Sequence, residues 1–326
     1  MISRLFSREP DTRIFFATDI HGSETCWRKF LNAGKHYEAD IMVLGGDMTG
    51  KALVPIVEEG SGRWHASLME NRYDFETEEE LTEFEDAVRR RGYYPFRTDP
   101  DEMSELESNE KRREKLFHEQ MLGTIERWMR MADERLGDSD IRCRCFVSPG
   151  NDDQFEVDEI VAAAKRVELA EGRVVEFGDF QMASTGWSNR TPWDTYREED
   201  EDALLERLRK MTSQITAPPE RTIYNFHCPP YGSGLDEAPE LTDDLRPKHG
   251  GRSIVPVGSK AVREAIEEGQ PVLALHGHIH EARGNTRIGR TLCINPGSSY
   301  EQGQLLGAVI NLTGKGKVKR FVLTSG

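Results

Sequence analysis

Short apolar runs that end in Asp- or Gly-containing turns alternate with amphipathic stretches along most of this chain. Arg13 to Thr18 and Ile41 to Leu44 are such runs, and their length and closing turns predict buried strands. Between them Trp27, Phe30 and Leu31 fall on one helical face, so the first unit reads β–α–β. Arg142 to Ser148, Arg221 to Phe226 and Pro271 to Leu275 predict further core strands, and helices fit 157–169, 198–215 and 259–268. The runs Val174 to Phe177, Phe180 to Ser184, Thr291 to Asn295, Leu306 to Leu312 and Lys317 to Thr324 read as strands in succession, without room for helices. This mixture predicts a mixed α/β (α+β) protein, with two sheets face to face and helices outside, rather than one parallel sheet.

The stretch 51–141 breaks that rhythm. Leu53 to Leu68 reads as a hairpin around Glu59-Gly60-Ser61-Gly62. Thr77-x-x-Glu80 is a capping-box pattern, followed by Leu81, Phe84 and Val88 at helical spacing and Gly92 as a stop. A longer helix then carries Phe117, Met121, Ile125, Trp128, Ala132 and Leu136 as a stripe, opposite a face dense in Glu, Lys and Arg. The expectation is one domain over 1–326 with a hairpin-plus-helices insertion at 51–141. The insertion reads either as a helical pair docked on the core or as a lid or partner platform.

Composition narrows the partners. The 43 Lys and Arg residues against 58 Asp and Glu give a net charge of −15, which disfavours general binding to nucleic acid or anionic membranes. No apolar run approaches the ~18–20 residues of a membrane-spanning helix. The N-terminal MISRLFSREP is too short and polar to read as a signal peptide. Five cysteines with no C-x-x-C pattern suit reduced thiols in a cytoplasm, and Cys143 and Cys145 alternate on one strand face as packing residues.

The chemistry lies in five polar clusters, each just past a predicted strand. They are Asp19-Ile20-His21-Gly22, Gly45-Gly46-Asp47, Gly150-Asn151-Asp152-Asp153, His227, and Gly277-His278-Ile279-His280. Strand ends are where open α/β sheets place ligand sites. Two carboxylates, one amide and four imidazoles without thiolate make a divalent-metal inventory. Each cluster alone is weak; five in this order are not.

The series resembles the calcineurin-like metallophosphoesterase superfamily, nearest its small bacterial and archaeal phosphoesterases. His227-Cys228-Pro229-Pro230 and Asn295-Pro296-Gly297-Ser298 point the same way. The resemblance covers roughly 12–50, 142–195 and 220–312 and implies a two-sheet β-sandwich flanked by helices, with 51–141 as an insert. It implies two divalent metal ions, Mn²⁺ first with Fe²⁺ or Zn²⁺ as alternatives. Asp19, His21, Asp47 and His280 would hold one ion; Asp47, Asn151, His227 and His278 would hold the other. The implied activity is hydrolysis of a small-molecule phosphoester by a hydroxide bridging the two ions. One departure marks this chain. The superfamily's third motif reads G-N-H, whereas Asp152 occupies the histidine position here. A carboxylate cannot supply a cation there, and it donates a proton only if burial raises its pKa. The expected preference is therefore for phosphodiesters. A nuclease of the same superfamily and a non-catalytic metal-binding scaffold remain as rival readings.

Other candidates are looser. His249, in the Gly-rich basic loop Arg246 to Arg252, is a candidate acid or phosphate contact. Trp187, Asn189, Pro192 and Trp193 either stack on a base or pack. His276 reads as structural, and His36, His65 and His118 as surface residues. Lys315, Lys317, Lys319 and Arg320 read as the solvated face of an edge strand.

Overall fold

Alternation along the core strands decides the layering. In Thr12–Ala17, Ile14 and Phe16 face one way, Phe15 and Ala17 face the other, and all four are buried. Such a strand needs cover on both faces. The structure, a computed structural model that describes residues 11–137 and 143–326, supplies it with four layers. The first sheet runs in the order Lys317–Ser325, Leu306–Thr313, Thr12–Ala17, Ile41–Leu44, Arg144–Val147, Val167–Leu169, and its last four strands are parallel. The second runs Gly284–Ile288, Thr291–Asn295, Leu273–Leu275, Thr222–Phe226, Phe180–Thr185, Arg173–Phe177, with the inner four parallel.

Between the sheets, Ile14, Phe16, Ile41, Val43 and Phe146 meet Met182, Ile223, Leu273, Leu275 and Ile294 in one buried cluster. The outer face of the first sheet, with Phe15, Met42, Leu44 and Cys145, is covered by helices Glu24–His36, Glu110–Leu136 and Glu156–Ala162. There the Trp27 and Trp128 rings stack at 5.2 Å. Helices Glu201–Thr212 and Lys260–Gly269 cover Tyr224, Phe226, Ala274 and Cys293 on the second sheet. The expected two-sheet sandwich with flanking helices is the architecture found.

Two readings change. The helix expected over 157–169 stops at Ala162, because Val167–Leu169 joins the first sheet beside Arg144–Val147. Val167 is buried there, while Glu168 turns outward to pair with Arg144 at 2.7 Å. Within the 51–141 stretch, the expected hairpin is Leu53–Gly60 against Arg63–Leu68, and Thr77 and Glu80 form the capping box of helix Glu78–Arg90. The stretch also holds two strands absent from the sequence reading, Asn71–Phe75 and Tyr94–Thr98, which complete a four-stranded sheet around Ile56, Ala66, Leu81, Phe84 and Val88. A further helix, Pro100–Ser108, precedes Glu110–Leu136.

All five cysteines are unpaired, and Cys143 and Cys145 both pack in the cluster beside Met42. Among the described residues no helix is long and apolar enough to cross a membrane. The N-terminal decapeptide, Arg142 and the last residues of the 51–141 stretch lie outside the described residues.

Candidate metal centre

The parallel strands Thr12–Ala17, Ile41–Leu44 and Arg144–Val147 of one sheet end beside Thr222–Phe226 and Leu273–Leu275 of the other. Their C-terminal turns carry the five polar clusters to one place. These turns are laced together by backbone bonds. Asp19 N donates to Gly46 O at 3.0 Å, His21 N to Asp47 O at 3.0 Å, and Gly277 N to His227 O at 2.8 Å. The lacing holds four of the candidate residues in left-handed backbone: Asp19 at φ 52°, His21 at 36°, Asp47 at 48° and His278 at 67°. Such conformations cost about 1–3 kcal/mol each and collect where function demands a side-chain direction. Glycines permit the crowding: a Cβ on Gly46 would lie 2.2 Å from the His227 ring, and one on Gly150 2.1 Å from Asp47 Oδ1.

All seven candidate ligands meet here. Asp19, His21 and His280 have donor atoms within 4.8 Å of one another, as do Asp47, His227 and His278. His21 Nε2 faces His280 Nε2 at 2.9 Å, and Asn151 Oδ1 lies 2.8 Å from His278 Nδ1. Asp47 Oδ2 stands between the two groups, 3.3 Å from His227 Nε2 and 3.7 Å from His21 Nε2.

The protonation pattern fits a cation site. Burial pushes the His21 imidazole down to about 3 and His278 to about 4, so both are neutral, the form that ligates metals. Burial raises the Asp19 carboxyl, but His227 and His280 outweigh it and hold Asp19 well below the usual range. Asp47 behaves likewise under His227 and His21. The Nδ1 of His227 is 3.0 Å from Gly45 O, which fixes the Nδ1–H tautomer and turns Nε2 toward the two carboxylates. Nε2 of His227 and Nδ1 of His21 are buried and find no hydrogen-bond partner among the described residues. Burial opposes a proton on His227, yet Asp47 and Asp19 push its pKa up to about 10.

Asp152 sits at the rim. Burial, then the charge of Asp47, raises its carboxyl to about 6 against the pull of Lys51, whose Nζ lies 3.0 Å from Oδ2. Its distance to His21 Nδ1 is 3.9 Å, beyond a hydrogen bond, although His21, Asp47 and Asp152 also form a compact group. His249 is not brought to the centre. It is exposed in a left-handed turn of the loop in which Lys248 pairs with Glu240 at 2.6 Å. Trp187 packs, with Arg207 lying 3.8 Å over its ring, and Asn189 bonds to Val257 O and Cys228. Trp193 is 62% exposed. His276 is structural, with Nδ1 2.8 Å from Phe226 O. His36 is exposed and His65 half-buried beside Glu59, but His118 departs from the surface reading, since its Nδ1 bonds Gln154 at the rim.

Sequence reasoning missed the frame behind the ligands. Asp153, fully buried, accepts from the backbone N–H groups of Met48, Thr49 and Gly150 and so ties the Asp47 turn to the Asn151 turn. Arg197 is only 1% exposed and donates to Gly150 O at 3.1 Å, to Asp153 O and to Asp158. Asn295 donates to Gly277 O and Ile279 O, holding the His278–His280 loop. Asn295 stood in a quoted turn, but Arg197 lies alone in a polar loop, where nothing marks it as buried.

Comparison with known proteins bears on the fold, which recurs in solved structures of other proteins. No family model matches the chain. An uncharacterized protein of Methanocaldococcus jannaschii is 28% identical over 151 residues, 45% of this chain and 61% of that one, so the match spans less than two thirds of the relative's length. One crystal structure aligns over 97% of this chain and 99% of its own, with a TM-score of 0.55 and 16% identity. The Thermus thermophilus protein TT1561 aligns over 97% and 99%, with a TM-score of 0.50 and 11% identity. At these identities the likeness is one of fold.

Proposed function

We propose that this chain is a metal-dependent phosphoester hydrolase that prefers phosphodiesters. The observation that carries the reading is the convergence of seven oxygen and nitrogen donors from five strand ends around Asp47. Asp19, His21, Asp47 and His280 would hold one divalent cation, and Asp47, Asn151, His227 and His278 the other, with Mn²⁺ the first candidate and Fe²⁺ or Zn²⁺ next. When bound, two such cations would outweigh the two carboxylates, giving the site the positive charge that draws a phosphoryl group and lowers the pKa of water there.

The chain's own residues set the rest. Asp47 fixes the spacing of the two halves. Gly45 O keeps His227 in the tautomer that presents Nε2. Lys51, held by Asp152 at 3.0 Å, presents an ammonium at the rim of the centre; Asp152 and Asp47 raise its pKa against partial desolvation, so it stays charged. Asp152 acts by positioning Lys51, while Lys51 faces the charge that grows on the phosphoryl oxygens. In the net reaction, water adds across one P–O bond to give a phosphomonoester and an alcohol. The unpaired cysteines suit a reducing compartment, in keeping with a cytoplasmic enzyme.

The test is kcat/KM on matched aryl diesters and alkyl monoesters with Mn²⁺ present, for wild type and Asp152→Asn. The diester should be favoured, and Asp152→Asn should cost less than ~10-fold with little dependence on leaving-group pKa, because a general acid would contribute roughly 10²–10⁴-fold. Preference for the monoester, or a loss that steepens with leaving-group pKa, contradicts the assignment.

A further inference from the structure

A groove leaves the metal centre at Asp152 and ends among cations. A cavity of about 190 Å³ opens at Asp152 and Thr195 and continues into one of about 690 Å³; Lys51, Phe117, Gln154 and Tyr196 line both. The larger part alone falls in the ~300–1,000 Å³ range of small-molecule sites. Its far end carries Lys111, Arg113 and Lys115 against a single acidic side chain, Glu114. No close carboxylate neutralises these cations. Lys111 has no ion pair among the described residues, Arg113 donates to Leu106 O at 3.2 Å and lies 3.9 Å from Glu110, and Lys115 lies 3.7 Å from Glu119. In a chain of net charge −15, a groove with a metal centre at one end and three such cations at the other suits a molecule with two separated anionic groups.

The wall between the ends is aromatic. Tyr196 is 48% exposed, yet its hydroxyl accepts from Gln154 Nε2 at 2.7 Å, and Gln154 in turn accepts from His118. That chain of bonds fixes the tyrosine, which lines the groove together with Phe117, whose ring is itself braced edge-on by Tyr94. Fixed aromatic faces of this kind stack planar bases without sequence preference.

Resting on the phosphodiesterase reading, we propose that the substrate is a small dinucleotide-type phosphodiester whose leaving half carries a second phosphate. Lys111, Arg113 and Lys115 hold that phosphate, and Phe117 and Tyr196 hold the base. Hydrolysis breaks the P–O bond to the leaving half, which departs along the groove as an alcohol bearing its own phosphate. A longer polyanion would meet the repulsion of a chain whose net charge is −15.

The experiment compares a dinucleotide bearing a terminal phosphate on its leaving half with the same dinucleotide lacking it. Wild type should favour the phosphorylated form about tenfold in kcat/KM, and the advantage should shrink in high salt. In the triple variant Lys111→Ala, Arg113→Ala, Lys115→Ala, with Tm measured alongside, the ratio should fall toward one. In parallel, calorimetric titration of the protein with a nucleoside monophosphate and with the unphosphorylated nucleoside reads the groove without turnover; the monophosphate should bind more tightly to wild type and lose that advantage in the triple variant. A wild-type ratio near one, an unchanged ratio in the variant, or a tenfold preference for a long single-stranded oligonucleotide over the dinucleotide overturns the proposal. Failure to hydrolyse any diester with Mn²⁺ present refutes the phosphodiesterase reading instead, and the monophosphate titration then still decides the groove.

Discussion

Asp47→Ala is expected to abolish binding of both metal ions and to lower diester turnover on the order of 10³-fold or more. Loss of a partner outside the coordination sphere already costs about 10–100-fold in metal affinity or activity, and Asp47 stands between both groups of donors. The loss also removes a negative charge that His21 and His227 both face, and the acceptor for the Asp152 N–H at 3.0 Å. Asp47→Asn keeps that acceptor but not the charge, so it separates local geometry from metal binding. Elemental analysis of both variants should find little metal in either. His280→Ala should instead deplete mainly one site, because His280 lies beside Asp19 and His21 and outside the other group. An Asp47→Ala protein that keeps one full equivalent would show that Asp47 is not shared.

Arg197→Leu is expected to be the most damaging change outside the donor set. Its guanidinium satisfies two backbone carbonyls of the Gly150–Asp153 turn and the Asp158 carboxylate from a position that water scarcely reaches. Removing it leaves those acceptors buried, at a cost of about 3 kcal/mol, and lowers Tm by roughly 5 °C or more. Because that turn carries Asn151, metal affinity should fall about 10–100-fold as well. Arg197→Lys should recover only part of either loss, since one ammonium cannot span three acceptors in a fixed plane. Differential scanning calorimetry and a metal titration on the same preparations check both effects. A Leu variant with wild-type Tm would show that the buried cation is dispensable.

The core strands were legible because burial on both faces writes a simple pattern: Ile14 to Ala17 and Ile41 to Leu44 are continuous apolar runs closed by turns. The convergence of the candidate donors was legible because each follows such a run, and the glycines beside them mark backbones that come close. The strand Asn71–Phe75 was not, since four of its five residues are exposed and its turn places Met69 and Glu70 at φ 50° and 67° without the usual glycine or asparagine. Val167–Leu169 hid behind a helix because three residues are too few to show a period of two. The rim was the least legible part. Lys51, Gln154, His118 and Tyr196 come from separate turns and helices, and only the fold shows that they share one groove. His249 had the opposite fate: a suggestive local sequence carries it on an exposed loop away from the donors.

Two metal ions held around Asp47 are what would make this chain a phosphoester hydrolase. The most direct test is titration of chelator-stripped protein with Mn²⁺, following bound metal and hydrolysis of an aryl diester together. Two ions should bind per chain at saturation, and turnover should appear only as both sites fill. Saturation at one ion or none, or hydrolysis that is indifferent to chelation, would contradict it.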